Sequence, residues 1–203
     1  MIAKYKKASN STFLCNETNP DSPCKDYGTV NTTGKITNTQ AWGSLRSYNP
    51  IGCENLENLT NEHTPADVIK GLTKCLKQKR FKKGAYLHAF AGIYAYFDRL
   101  RVADKTAHGA HSMLLAQNLR SVRDSMNPFK KEVKNVLGEK TELSKVCKKI
   151  IKIGAPGYHP MYMIHHGLNT LNGGGTQNGL VNEFNSDNAW KVSLEKFLKC
   201  PNT

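Results

Sequence analysis

Residues 64–101 read TPADVIKGLTKCLKQKRFKKGAYLHAFAGIYAYFDRLR, and the first half of this stretch predicts an amphipathic helix. Thr64 provides an N-cap hydroxyl, Pro65 suits the first helical position, and Asp67 places a carboxylate in the first turn, where the helix dipole favours it. The apolar side chains that follow recur every three to four residues and therefore form one face. We expect this helix to run from Pro65 to about Lys79.

The second half of the same stretch predicts a longer helix, over about 83–101, with two kinds of apolar surface. Phe90, Tyr94 and Phe97 form a bulky seam, whereas alanines and a glycine form a small seam that allows another helix to approach closely. Caps and apolar periodicity indicate further helices at about 103–122, 128–138, 141–153, 160–166 and 186–198. Because the connections are short and no sustained strand pattern occurs, the sequence predicts an all-α, single-domain bundle of about seven helices.

Residues 1–63 differ in composition from the helical remainder of the chain. They are rich in asparagine, threonine, serine, glycine and proline, and strand-like alternation is confined to short pieces such as residues 29–36. Such a composition favours turns over regular elements. We therefore expect an irregular, turn-rich, disulfide-pinned N-terminal segment over 1–63 that packs on a helical domain over 64–203.

The cysteines predict disulfide bonds rather than a zinc-finger or thioredoxin-like motif, because no C-x-x-C spacing occurs. Their even number in a basic, asparagine-rich chain fits an oxidising compartment, although reduced thiols in a cytosolic protein are the alternative. We expect three disulfides, with Cys15 paired to Cys24, Cys53 to Cys75, and Cys147 to Cys200. The last of these would hold a chain end that otherwise frays.

The expected location of the protein depends on these cysteines rather than on a targeting segment. The first nine residues carry charge but no hydrophobic region, so we expect no signal peptide in this sequence. No run of about 18 apolar residues occurs, so we expect no transmembrane segment. The composition nevertheless favours export, and we predict a secreted or periplasmic protein.

Positive charge is concentrated in two blocks of the sequence. The chain carries 29 Lys and Arg against 16 Asp and Glu, a formal net charge of +13 at pH 7. Residues 68–97 contain seven basic residues and no acidic one, and residues 130–152 contain eight lysines against three glutamates. The predicted binding residues within these blocks are Lys77, Lys79, Arg80, Lys82, Lys83, Lys148 and Lys149.

This excess of charge predicts an anionic partner, although two solvated helix faces are the alternative interpretation. The partner could be an acidic protein, a lipid headgroup layer or a nucleic acid. A nucleic acid is less favoured, because no helix combines a basic face with the Asn, Arg and Gln side chains that read base edges. We therefore expect an acidic protein or another anionic surface as the partner.

The histidines are the candidate catalytic residues. Asp104, His108 and His111 are spaced at i, i+4 and i+7, which would place them on one face of a helix. Two histidines on successive turns and a third ligand are typical of catalytic zinc sites. A third ligand could come from the later histidines, namely His159, His165 and His166. The spacing lacks the Glu of H-E-x-x-H, so an ion pair between Asp104 and His108 is the simpler interpretation, and we predict neither a metal nor another cofactor.

The sequence contains no G-x-S-x-G segment, Walker loop or dinucleotide-binding glycine pattern. We therefore expect a non-enzymatic, exported, basic helical protein that binds an acidic macromolecular partner, such as an inhibitor, an immunity-type protein or an envelope adaptor. The alternative is a secreted hydrolase, either zinc-dependent or a metal-free nuclease. It would use His108, His111, and His165 or His166.

Overall fold

The structure is a computed structural model in which the chain is described over 44–172 and 178–201, together with the four strands that precede residue 44. The α-helices of the described residues are α1 (Pro65–Lys77), α2 (Phe81–Arg101), α3 (Ala110–Leu119), α4 (Met126–Gly138), α5 (Lys140–Ile153), α6 (Met161–Ile164), α7 (Leu168–Asn172) and α8 (Ser186–Val192). Single turns of 3-10 helix lie at Leu56–Asn58, Lys105–Gly109 and Arg120–Ser125, and a π-helical turn lies at Ser193–Leu198. The prediction of an all-α bundle is confirmed for this body of the protein.

Helix α1 begins where the sequence predicts, because Thr64 and Asp67 form a capping box at its N-terminus. The Thr64 hydroxyl accepts a hydrogen bond from the Asp67 amide at 3.2 Å, and the Asp67 carboxylate accepts one from the Thr64 amide at 3.0 Å. The same carboxylate accepts hydrogen bonds from the Ser47 hydroxyl and the Asn49 amide. Asp67 therefore caps the helix and also fastens the preceding segment to it.

Helix α2 is the centre of the bundle. It packs against α1, α4, α5, α8 and the π-helical turn, and most of its side chains are buried. The small seam predicted on this helix faces the C-terminus, because a Cβ atom added to Gly92 would lie 2.5 Å from the Phe197 ring. A side chain at Gly92 would therefore require the Phe197 ring to move away.

The helix expected over 103–122 is interrupted in the structure. Asp104 accepts hydrogen bonds from the Thr106 amide and hydroxyl, and a 3-10 turn follows in place of an α-helical one. Val122 then adopts non-helical dihedral angles, φ −132° and ψ 33°, between α3 and α4. Such local side-chain hydrogen bonds compete with helix formation, and apolar periodicity does not report them.

Two disulfides tie irregular segments to helices. Cys53 is bonded to Cys75 on α1 with a Cα–Cα distance of 4.7 Å, and Cys147 on α5 is bonded to Cys200 with a distance of 5.7 Å. These are two of the three pairings that the sequence predicts. The third, between Cys15 and Cys24, falls outside the described side chains.

The strands β1 (Ile2–Lys6), β2 (Ser11–Asn16), β3 (Thr29–Thr33) and β4 (Ile36–Gln40) form an antiparallel sheet in sequence order. The sequence predicts only short strand-like pieces in this region, so the sheet is more regular than the expected irregular segment. Three threonines and one valine in β3 favour extended backbone, but Asn31 at its centre weakens that signal. Among the described helices, none combines the length and apolar composition needed to cross a bilayer.

Candidate functional site

The two basic blocks predicted from the sequence meet where the first turns of α2 pack on α5. The Lys82 ammonium lies 2.8 Å from Glu142 Oε2, and the Lys145 ammonium lies 2.7 Å from Glu142 Oε1. The Tyr86 hydroxyl donates a third hydrogen bond to the same carboxylate at 2.9 Å. Lys145, Lys82 and Tyr86, in that order of effect, lower the pKa of Glu142 to about 2.

Tyr86 also lies beside a third lysine. The ammonium of Lys149 is 5.2 Å from the centroid of the Tyr86 ring, and that of Lys82 is 6.0 Å from it. Lys149 is ion-paired with Glu57 at 2.7 Å, and this hydrogen bond is the main reason that the pKa of Glu57 is lowered. The charge of Lys83 makes the smallest contribution to the lowering of the Glu57 pKa.

These residues define a continuous cationic face, which we call the lysine surface. Its members, joined by ion pairs or by the pocket that they line, are Lys82, Lys145, Lys149 and Lys152, with Glu57 and Glu142 as their acidic partners. Lys83, also predicted as a binding residue, follows Lys82 on α2 and is half-buried. The Lys82 and Lys145 side chains are more than half exposed, at 56% and 62%, so both remain accessible to a partner. Lys148, also predicted as a binding residue, is exposed on α5 directly before Lys149.

A pocket opens at one edge of the lysine surface. It has a volume of about 300 Å³ and is lined by Glu57, Leu59, Thr60, Asn61, Lys149, Lys152 and Ile153. The loop on its far side is held firmly, because Leu59 is only 5% exposed and the Asn61 carbonyl accepts a hydrogen bond from the Gly157 amide at 2.9 Å. The pocket therefore has a preformed wall, and its lining contains two apolar side chains and two lysines.

The other predicted basic residues lie apart from the contacts just described. Lys77, Lys79 and Arg80 are exposed at the end of α1 and in the turn that leads to α2. Lys79 has a left-handed φ of 57°, and the Arg80 amide donates to the Cys75 carbonyl, so these two residues close the helix. Their backbone thus has a structural role, and their side chains extend the positive potential without a described ion pair.

The structure does not assemble the predicted histidine site. His108 follows the break in the helix, and its Nε2 atom lies 3.0 Å from the Val102 carbonyl oxygen. Asp104, expected on the same helical face as His108, instead accepts hydrogen bonds from the Thr106 and Asn169 amides. Throughout the described part of the chain, no three His, Cys, Asp or Glu side chains lie close enough to share a metal ion.

His111 and His88 are both partly buried. The Nδ1 atoms of both rings are buried and have no hydrogen-bond partner among the described residues. Burial lowers the pKa of His111 to about 4, and the charges of His88 and Arg99 add to that effect. Both rings are partly buried, and their lowered pKa values favour the neutral imidazole at physiological pH.

His159 precedes α6, and its Nε2 atom lies 3.0 Å from the Asn178 carbonyl oxygen, whereas His165 and His166 directly follow α6. His165 is 6% exposed and belongs to the interior. His166 is partly exposed, and its Nδ1 atom lies 3.1 Å from the Ser44 hydroxyl. A serine and a histidine at that distance have the geometry of a nucleophile and its general base. No sequence pattern pairs them, because they are separated by 122 positions along the chain.

A buried polar cluster at the end of α2 was also missed from the sequence. Asp98 is fully buried and accepts hydrogen bonds from the Tyr158 and Tyr162 hydroxyls, both at 2.8 Å, and from Arg101 Nε at 2.9 Å. The Arg101 guanidinium also lies over the Phe97 and Tyr158 rings. Asp98 is the one acidic residue of α2 and follows directly on its apolar seam, which was the available signal. The cluster is fully packed, so it has a structural role.

Comparison of the chain with protein-family models, with curated proteins and with solved structures found no match. The fold and the site therefore define the molecule by themselves: a disulfide-linked helical bundle with a cationic face and an adjoining pocket.

Proposed function

We propose that this protein is a non-enzymatic, exported binding protein whose lysine surface docks an acidic partner protein, as an inhibitor, immunity-type or envelope adaptor protein would. The observation that carries the proposal is the convergence of the two basic blocks on Tyr86 and Glu142. Four lysines on one face exceed what their two glutamate partners neutralise, and such a face attracts and orients an anionic partner. The disulfides support an oxidising compartment.

The shape of this surface favours an acidic protein over a nucleic acid or a membrane. Lys82 and Lys149 are ion-paired and lie beside the Tyr86 ring, and Lys149 adjoins a pocket whose lining includes Leu59 and Ile153. A phosphate backbone or a headgroup layer needs cationic groups but no apolar pocket. A protein partner would use both, because interfaces combine charged contacts with buried apolar ones.

The test compares two triple charge reversals in binding to fluorescent poly-glutamate, measured by stopped-flow and by anisotropy at several salt concentrations. The first is K82E/K145E/K149E on the lysine surface. The matched control is K70E/K105E/K196E, which reverses three exposed lysines on other elements and changes the net charge equally. We expect the first variant to associate about tenfold or more slowly and with a flatter salt dependence, and the control to lose much less.

Equal losses in the two variants would show that only net charge matters and would overturn the proposal. Duplex DNA and vesicles rich in phosphatidylglycerol serve as competing probes in the same assay. If wild type bound DNA or the vesicles more tightly than poly-glutamate, and if only K82E/K145E/K149E lost that binding, the surface would be assigned to that ligand. The acidic-protein proposal would then be overturned.

A second candidate function follows from the Ser44–His166 hydrogen bond, which would supply the nucleophile and base of a secreted hydrolase. It replaces the zinc and two-histidine arrangements, for which the described residues offer no assembled site. Labelling with a fluorophosphonate probe tests it. We expect labelling that is lost in S44A and H166A if the pair is catalytic, and labelling at background level in the wild type would exclude it.

A further inference from the structure

We infer that the pocket beside Lys149 receives a carboxylate side chain of the acidic partner together with an adjacent apolar side chain. In the free protein Glu57 forms the ion pair with Lys149, and the partner's carboxylate replaces it on binding. This inference rests on the proposed function and adds the chemistry of the contact. Glu57 is an internal stand-in for the partner, because it presents the same group to the same ammonium at 2.7 Å.

The ion pair between Glu57 and Lys149 is built so that the glutamate can leave. The Glu57 side chain is 57% exposed, whereas Lys149 is 34% exposed and is also held against the Tyr86 ring. Exposed ion pairs are weak, so a second carboxylate can replace the first at little cost. The lysine stays in position during such an exchange, and the glutamate turns towards solvent.

Lys152 supplies the second positive group of the pocket. It lies one helical turn beyond Lys149, is exposed, and has no ion-pair partner among the described side chains. A carboxylate that entered the pocket would therefore face two lysines, whereas Glu57 in its present position is paired with one. This difference gives the partner's carboxylate an advantage over the internal one.

The remaining walls explain why the ligand needs an apolar group. Leu59 and Ile153 line the pocket together with the polar Thr60 and Asn61. A volume of about 300 Å³ is at the lower end of the range for ligand sites and accommodates one or two side chains. A short segment in which a glutamate or aspartate adjoins a leucine or phenylalanine fits both the volume and the two kinds of wall.

The test uses two fluorescent peptides of equal negative charge, one alternating glutamate with leucine and one alternating glutamate with serine. E57Q removes the stand-in, and E54Q is its matched control, because Glu54 is a nearby glutamate that bonds to Asn58 and not to a lysine. We expect E57Q to bind the leucine peptide about two- to fivefold more tightly than E54Q does. We expect K152Q to bind it more weakly, and I153S to lose the preference for leucine over serine.

The outcomes separate this inference from the function on which it rests. Equal affinities of E57Q and E54Q, with binding still sensitive to K82E/K145E/K149E, would overturn the pocket and leave the lysine surface standing. Tighter binding by E57Q than by E54Q, with K82E/K145E binding as well as its control K70E/K105E, would support the pocket and overturn the wider surface. Absence of binding by wild type, E57Q and E54Q to either peptide would overturn both.

Discussion

Lys82 and Lys149 approach the same aromatic ring, with their ammonium nitrogens 6.0 and 5.2 Å from the centroid of Tyr86. One lysine belongs to the basic block of α2 and the other to that of α5, so this ring joins the two blocks. Glu142 completes the arrangement by accepting from Lys82, Lys145 and the Tyr86 hydroxyl. The cationic face is therefore an organised surface in which side chains hold one another in place.

The carboxylate of Glu142 offers a direct measure of this organisation. Because Lys145 makes the largest contribution to lowering its pKa, K145Q should raise that pKa from about 2 towards the ordinary value, and by more than Y86F does. Carbon-detected NMR titration of the glutamate side chains measures both shifts. K148Q is the control, since Lys148 has no described contact with Glu142, and a larger effect from K148Q than from K145Q would contradict the network.

Acid should destabilise the protein through His111. Its pKa is about 4 in the folded chain and near 6.5 in the unfolded one, so below pH 6.5 the unfolded state binds more protons. Stability contributed by the neutral ring is complete above that pH and falls as pH decreases towards 4. We expect a loss of about 2 kcal/mol between pH 7.5 and 5 from this residue alone.

Urea unfolding of wild type and H111Q at both pH values measures this contribution. H111Q should be less stable than wild type at pH 7.5 but should show a smaller decrease on acidification. The same pH dependence in both proteins would show that His111 does not titrate in this way.

Removing the C-terminal disulfide should loosen the end of the chain. C147S/C200S should lower the free energy of unfolding by about 2–4 kcal/mol, since the bond constrains the unfolded chain. Limited proteolysis should then cut within 193–201, where Leu194 and Leu198 now pack in the core.

Thiol titration of the native wild type should find Cys53, Cys75, Cys147 and Cys200 unreactive, because both pairs are disulfide-bonded. Four reactive thiols at these positions would remove the support for export.

Breaking the buried cluster on α2 should cost more than any surface change. D98N leaves the Arg101 charge without its partner in the interior, and removal of one member of a buried ion pair costs about 3–5 kcal/mol. Y162F removes one hydrogen bond and should cost about 1–3 kcal/mol. Chemical denaturation measures both. A loss below about 1 kcal/mol for D98N would show that Asp98 is not charged in the folded protein.

Local signals in the sequence were sufficient for the main helices. The cap at Thr64 and the apolar periodicity that follows predict α1 nearly to the residue, and the same reasoning locates α2, α4 and α5. The pairings Cys53–Cys75 and Cys147–Cys200 could also be predicted. Cys200 lies near the C-terminus and is best held by a cysteine on an internal helix, and Cys53 lies in a segment that can fold back along the helix that carries Cys75. Caps and periodicity act within a few turns, so they can be recognised without knowledge of the fold.

The tertiary structure alone decided which side chains meet. Histidines that share a predicted face were separated by a 3-10 turn, whereas Glu57, from an irregular segment, became the partner of Lys149. Two basic blocks that look like independent solvated faces became one surface, because α2 packs on α5 with Tyr86 between them. Contacts of this kind depend on how helices are placed against one another, and that placement results from burial summed over the entire core rather than from any single stretch of residues.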